Sequence, residues 1–470
     1  MTIPLILASL VLIICVFSSK VLYRFGVPSL LIFLVLGMIF GSEGIVGIRF
    51  DNYKIAEEIG SFGLVFIMFY GGFCTNWKLA KPVVTKATLM STIGVIITAG
   101  LTGIFCTWVL KSSLLEGFLL GAVVASTDAA SVFSILRSQN LNLKDGLASL
   151  LEIESGSNDP VAYMLTVIIL SFMSGAQQSI FKLLLFQVLF GIIIGVVLAK
   201  ISTWILKNVV FEIEGLYPVF VMAIAILAYS LSIWLGGNGY LSVYIAGIII
   251  GNSKIQNKKS LVKFFDGISW LMQIMLFFIL GLLSFPSQIH LAFLPGFLIS
   301  IFLIFIARPI STFAILSWFK VPIKQQIFVS WVGLRGAASI VFAILAVTND
   351  ALINFDIFHI VFFIALFSVS LQGTLISPIA KKLDLVDNDA VVLKTFNDYQ
   401  EEMNTKLVEL EIKPESKLVN KNIIDANIPE DILVVMIKRN GKILHPKGKT
   451  IIYSGDILVL TGENFDNIDF

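Results

Sequence analysis

Charge is scarce in this 470-residue chain: only 14% of its residues are Asp, Glu, Lys or Arg, where a soluble globular protein carries about 25%. The three cysteines (Cys15, Cys74, Cys106) and three histidines fit neither a disulfide framework nor a metal-binding spacing. No basic stretch precedes the first apolar run. Met1-Thr-Ile-Pro4 therefore reads as the start of a membrane helix, not as a cleaved leader. There is no TVGYG-like carbonyl filter and no room for a GxGxxG nucleotide-binding unit, which argues against a potassium-channel pore and a dinucleotide domain. No internal repeat shows by residue identity. Nothing points to an enzyme, an organic cofactor in the membrane part, or a nucleic-acid partner.

What remains is hydrophobic: 57% of residues, with a mean hydropathy of +0.93. Runs near the 20 residues that a bilayer crossing needs recur about thirteen times. They fall near 3–20, 26–41, 59–75, 87–109, 115–137, 147–174, 179–206, 217–235, 239–252, 261–284, 291–318, 325–348 and 356–380. The run 239–252 is short and contains glycine, so it reads as a full, tilted or re-entrant segment. Lysine and arginine crowd alternate loops: Lys20 and Arg24; Lys78, Lys81 and Lys86; Arg137 and Lys144; Lys200 and Lys207; Lys254, Lys258, Lys259 and Lys263; Lys320 and Lys324; Lys381 and Lys382. The remaining loops hold only Arg49, Lys54, Lys111 and Lys182. The positive-inside rule places the crowded loops in the cytoplasm. The expectation is a multi-pass protein of the cell (plasma or inner) membrane, with the N-terminus outside and the C-terminus inside.

After Lys382 the character changes. Residues 383–402 are polar and acidic and read as a linker. From 403 to 470 the pattern is that of a small α+β domain, with strands expected at Leu407–Ile412, Ile432–Ile437 and Ile457–Leu460. Turns are marked by Asn440-Gly441, Pro446-Lys-Gly448 and Ser454-Gly-Asp456. A domain this small has a marginal core, so a homodimer is expected.

Three polar interruptions lie inside apolar runs: Ser126-Thr-Asp-Ala-Ala-Ser131, Glu154-Ser-Gly-Ser-Asn-Asp-Pro160 and Gly333-Leu-Arg-Gly-Ala-Ala338. A carboxylate at a membrane helix centre costs on the order of 3 kcal/mol, so Asp128, Glu154 and Asp159 call for a function. Glu154 and Asn158, like Ser155 and Asp159, are four residues apart and share a helix face. Pro160 cannot donate to the Gly156 carbonyl, which frees an oxygen. Arg335, between two glycines, marks a broken helix, and its charge needs a partner among Glu154, Asp128 and Asp159. If the seventh run links two six-helix halves, the interruptions at 126–131 and 333–338 hold matching places, as transporter sites do. Gln372 reads as an interhelical hydrogen bond, and Arg308-Pro309 lies toward one end of its run and is expected to snorkel.

These motifs, in this order and spacing, resemble the NhaP-type monovalent cation:proton antiporters over residues 1–382. The C-terminal segment resembles the TrkA-C module, through Ile428-Pro-Glu-Asp431 and Gly455-Asp456. Together they are typical of the potassium/proton antiporters called cell volume regulation protein A. The resemblance implies about thirteen helices in two inverted repeats with broken crossing helices, and a core that moves against a dimerisation part. It makes Asp159 the residue that holds a proton or a cation in turn, with Thr127, Asp128 and Ser155 as co-ligands of a monovalent cation. Glu154 and Arg335 become the core ion pair, with Asn158 bridging near Glu154. The activity implied is electroneutral 1:1 exchange of K+, or else Na+, for H+. The TrkA-C likeness suggests a small symmetric ligand such as cyclic di-AMP at the second domain. A gated cation channel, a potassium-uptake subunit or a transport-derived sensor would be the reading from another class, separated by whether flux follows a pH gradient.

Overall fold

The computed structural model describes residues 2–23, 29–139, 141–175, 179–349, 353–387, 406–416, 418–426, 428–429, 432–439 and 442–462. The chain divides into two compact units, Met1–Asn397 and Asp398–Phe470.

Among its described residues the first unit is mainly helical, with helix in each of the apolar runs. Seven helices among the described residues are long and apolar enough to cross a membrane: Tyr53–Cys74, Val84–Leu110, Ile180–Asn208, Leu216–Trp234, Lys258–Leu283, His290–Phe319 and Ile357–Lys382. Two of the expected spans are each broken into a pair of short helices. One pair is Leu114–Val123 and Ala129–Ser138, the other Ile323–Trp331 and Ala337–Thr348. The interruptions sit at Ser126-Thr-Asp128 and Gly333-Leu-Arg-Gly336, where hydroxyl-bearing side chains and glycine favour non-helical backbone.

The run read as full, tilted or re-entrant is one continuous helix, Gly239–Gly251. It packs backbone to backbone on the Tyr53–Cys74 helix. A Cβ added at Gly247 would meet the Phe69 carbonyl oxygen at 2.4 Å, and one at Gly251 the Phe73 oxygen at 2.1 Å. Small residues are the usual means of such close approach in a bilayer. Around this contact Phe66, Phe69, Phe73 and Phe265 fill the main core. Outward, Phe181, Trp204 and Leu291 are 74%, 64% and 71% exposed, as residues facing lipid would be. A second apolar cluster joins Leu147, Leu150 and Leu151 to Leu136, Phe328, Ile376 and Leu385, and both broken helices are anchored in it.

Among the described residues, three long helices contain one wide, π-helical turn each: Met90–Gly94, Leu303–Ala307 and Ser368–Gln372. Such turns recur at functional sites. The second is followed by Arg308-Pro309, where the missing amide of proline cannot bond the carbonyl four residues back.

The second unit is a four-stranded antiparallel sheet in the order β1-β4-β2-β3, with β1 Lys406–Glu411, β2 Leu433–Arg439, β3 Lys442–Leu444 and β4 Ile457–Gly462. Strand β3, exposed along its length, is an addition to the three strands expected. Ile412, Leu418, Ile437, Ile452, Leu458 and Leu460 form the core. The turn Asn440-Gly441, the residues Glu430-Asp431 and the linker beyond residue 387 lie outside the described residues.

Candidate functional site

The two interruptions support each other. At the first, the Leu114–Val123 helix ends, and the carbonyls of Ala125 and Ser126 in the interruption fall outside any helical ladder. Arg335 Nη1, from the second interruption, donates to Ala125 O at 2.8 Å and Ser126 O at 2.7 Å. In return the Asp128 amide donates to Leu334 O at 2.8 Å. The Arg335 amide itself donates to Ser368 Oγ at 3.0 Å, inside a π-helical turn. Gln372, in the same turn, donates to Trp331 O at 3.1 Å, the interhelical bond expected of it. Orphan backbone groups in a membrane must find partners within the protein, and here they find them in one another.

The Leu147–Met173 helix runs past this crossing and brings three polar side chains to it. Ser155 Oγ donates to Thr127 O at 2.7 Å. The Asn158 side-chain amide donates to Thr127 Oγ1, and Ser126 Oγ donates to Asp159 Oδ1. Asp128 turns back on its own helix start, accepting from Ser131 Oγ at 2.5 Å and the Ser131 amide at 3.3 Å. Gly336 makes room for it: a Cβ there would lie 2.4 Å from Asp128 Oδ2. Thr127, Asp128, Ser155, Asn158 and Asp159 are thus gathered in one place. Ser126, absent from the expected ligand set, joins them; its hydroxyl beside Asp128 was the available signal.

Three expectations are corrected. Glu154 and Arg335 do not form the core ion pair. Glu154 pairs with Arg308, whose Nη2 stands 2.8 Å from Oε1 and 2.9 Å from Oε2, and each side chain is only 2% exposed. Arg335 is instead directed at the carbonyls of the broken helix, where a guanidinium satisfies acceptors that have no helical partner. Arg308 does not snorkel either: its side chain is buried and turned inward to Glu154 rather than toward the membrane surface. Asn158 bridges to Thr127, not to Glu154.

Chemically, the site offers two carboxylates, Asp128 and Asp159, both partly exposed, among the buried oxygens of Ser126, Thr127 and Ser155. Carboxylate, hydroxyl and carbonyl oxygens are the ligand set of a hard cation. Glu154, in contrast, is sealed in its ion pair.

Comparison with known proteins decides the family. The sodium/hydrogen exchanger transmembrane family matches residues 6–382, and the TrkA-C domain matches residues 407–464. This chain belongs to the sodium/hydrogen exchanger family. It is a cation/proton antiporter of the NhaP type carrying a TrkA-C domain, a transporter and not an enzyme. It is 34% identical to the K(+)/H(+) antiporter NhaP of Alkalimonas amylolytica over 455 residues, covering 95% of this chain and 79% of that one. It is 33% identical to the K(+)/H(+) antiporter NhaP2 of Shewanella oneidensis over 467 residues, covering 97% and 81%. Among solved structures it resembles the sodium proton antiporter MjNhaP1 of Methanocaldococcus jannaschii at pH 8, with a TM-score of 0.72 and 26% identity over 80% of this chain and 97% of that one.

Proposed function

We propose that the exchanger moves K+ against H+, with Na+ the alternative, by letting proton and cation compete for Asp159. The observation that carries this is the division of the acids: Glu154 is committed to Arg308, while Asp159 keeps partial exposure beside Ser126. Asp128, Thr127 and Ser155 complete the cation's shell, and Asn158 holds Thr127 in place. One carboxylate that carries one proton or one cation makes the exchange electroneutral and 1:1. The reading includes alternating access, with an aromatic cluster one turn on from Asp159 taken to close one end of the site. Tyr163, one turn on from Asp159, packs against Tyr240 at 5.0 Å and Phe342 at 5.8 Å. K+ is favoured because the relatives at 32–34% identity are named as K+/H+ antiporters.

The same reading has about thirteen crossings in two inverted repeats, in a cell-membrane homodimer with the N-terminus outside and the TrkA-C domain in the cytoplasm. Apolar side chains left open on the sheet, Leu433 at 65% and Ile443 at 59% exposed, support pairing of that domain with its twin. A cleft at such a two-fold suits a small symmetric ligand of the cyclic di-AMP kind.

The test is exchange in proteoliposomes, driven by a pH gradient and compared for K+, Na+, Li+ and Rb+. Asp159→Asn is expected to abolish cation-dependent proton movement in a folded protein. Near wild-type exchange by that variant would defeat the assignment, and current without proton coupling would make the protein a channel.

A further inference from the structure

The loop 141–146 joins the helix that begins just after Asp128 to the helix that carries Asp159. Residues 385–387, just past the last membrane helix, run antiparallel to this loop and join it through one isolated β-bridge. The Lys144 amide donates to Leu385 O at 2.9 Å and the Asp387 amide to Asn142 O at 2.9 Å, with Leu143 opposite Val386 in an antiparallel bridge. Lys144 Nζ also reaches Asp384 O at 3.1 Å and Asp384 Oδ1 at 3.0 Å. That ion pair is largely exposed and contributes little by itself. The hold comes from the backbone bonds and from Leu385, 4% exposed, which is buried with Leu136, Leu147 and Leu150.

The loop is fixed on its other side as well. Asp145 Oδ2 accepts from Gln325 Nε2 at 2.8 Å, on the first half of the second broken helix. Asp145 and Gly146 both take left-handed backbone, with φ of +57° and +72°, a conformation that non-glycine residues adopt only when their surroundings enforce it. The entry of the Asp159 helix is therefore set by what grips this loop.

We propose that residues 383–387 are a positioning strap for the ion site. By pinning the loop they fix the spacing between the 129–138 and 147–173 helices, and with it the spacing of the Asp128 and Asp159 carboxylates. Because the chain continues from the strap toward the TrkA-C unit, the strap is also where tension from that unit would reach the site. The proposal rests on the assignment of exchange to these two acids.

The experiment compares three reconstituted proteins: the full chain, a chain ending at Asp387 and a chain ending at Lys382. KM and Vmax for K+ are measured at fixed pH, and hydrogen exchange is followed at the Lys144 amide. The chain ending at Asp387 is expected to keep the full chain's KM and its protected amide. The chain ending at Lys382 should lose the protection and show KM raised at least about fivefold, the factor that even one of the two lost backbone hydrogen bonds converts to. Equal KM for the two truncated chains overturns the proposal. If the shorter chain does not fold, the full chain carrying Leu143→Cys and Val386→Cys, with Cys15, Cys74 and Cys106 replaced by alanine, decides the question. This pair is of the non-hydrogen-bonded kind, whose side chains lie close. Oxidation should leave KM and Vmax unchanged, because the strap stays closed through the cycle. An oxidised protein that stalls refutes that. Asp159→Asn separates the two failures, since exchange surviving in that variant removes the site assignment while the Lys144 amide still reports on the strap.

Discussion

Glu154 and Arg308, 154 residues apart in sequence, form a buried ion pair whose two side chains are each 2% exposed. Removing one member leaves the other's charge stranded, at a typical cost of about 3–5 kcal/mol. Glu154→Ala and Arg308→Ala are each expected to lower the thermal stability of the purified protein by that order. The double replacement should cost clearly less than their sum. Coupling of Glu154→Ala with Arg335→Ala should be smaller, since Arg335 holds main-chain carbonyls. Additive melting shifts for Glu154 and Arg308 would mean that the two do not touch.

A second prediction concerns the crossing of the broken helices. A methyl group at Gly336 would lie 2.4 Å from Asp128 Oδ2 and 2.5 Å from Asp128 Cβ, so the carboxylate must move. Gly336→Ala is expected to cut exchange at least tenfold, at a stability cost of about 1–3 kcal/mol. Exchange close to wild type would show that the position of Asp128 is not critical.

The three polar interruptions were legible in the sequence because a charge at membrane depth is costly and stands out against apolar neighbours. The partners of those charges were not. Arg308 looked like a residue that reaches for the membrane surface, yet its side chain turns inward to Glu154, 154 residues away in sequence. Arg335 seemed to require a carboxylate, whereas its Nη1 serves two backbone carbonyls. An orphan carbonyl has no signature in the residue alphabet, so only the fold reveals it. Strand β3 escaped for a related reason: three exposed residues carry no alternation to detect. The 384–387 segment read as linker because its composition is polar, and its one anchor, Leu385, is a single side chain.

The wide turn in the last membrane helix gives a third prediction. Ser368 Oγ accepts the buried Arg335 amide at 3.0 Å and donates to Gln372 Oε1 at 2.5 Å. Ser368→Ala leaves the amide without that partner, at a cost of about 1–3 kcal/mol. The melting temperature should fall and exchange should weaken. Ser368→Thr, which keeps the hydroxyl, should recover most of both. Equal loss in the alanine and threonine variants would assign the effect to packing.

The fourth concerns pH and the TrkA-C unit. Asp456 is 1% exposed. Its carboxylate accepts from Arg439 Nε and Nη2, each at 2.7 Å, and from the Tyr453 amide at 2.8 Å. Burial presses its pKa upward, but the Arg439 and Tyr453 bonds outweigh that and hold it below the ordinary carboxylate value. A group whose pKa is lowered in the fold adds stability above its unfolded pKa, near 4, and the contribution disappears as pH falls through the lower folded value. Opening of β4, followed by hydrogen exchange, should therefore become easier on acidification below about pH 4. In Asp456→Asn that acid-dependent part should be missing. An unchanged pH response in the variant would place the titrating group elsewhere.

The mutual bracing of the two broken helices has a consequence for biosynthesis. The carbonyls of Ala125 and Ser126 wait for a guanidinium that lies 210 and 209 residues downstream. While the chain is being made, the first interruption enters the membrane with acceptors that nothing yet inserted can satisfy. Water or the insertion machinery must hold them until the second interruption arrives, so the proposed ion site is completed only once that later segment is in place. A ribosome-bound chain cut short of Arg335 therefore contains every acid of the site and still has no site.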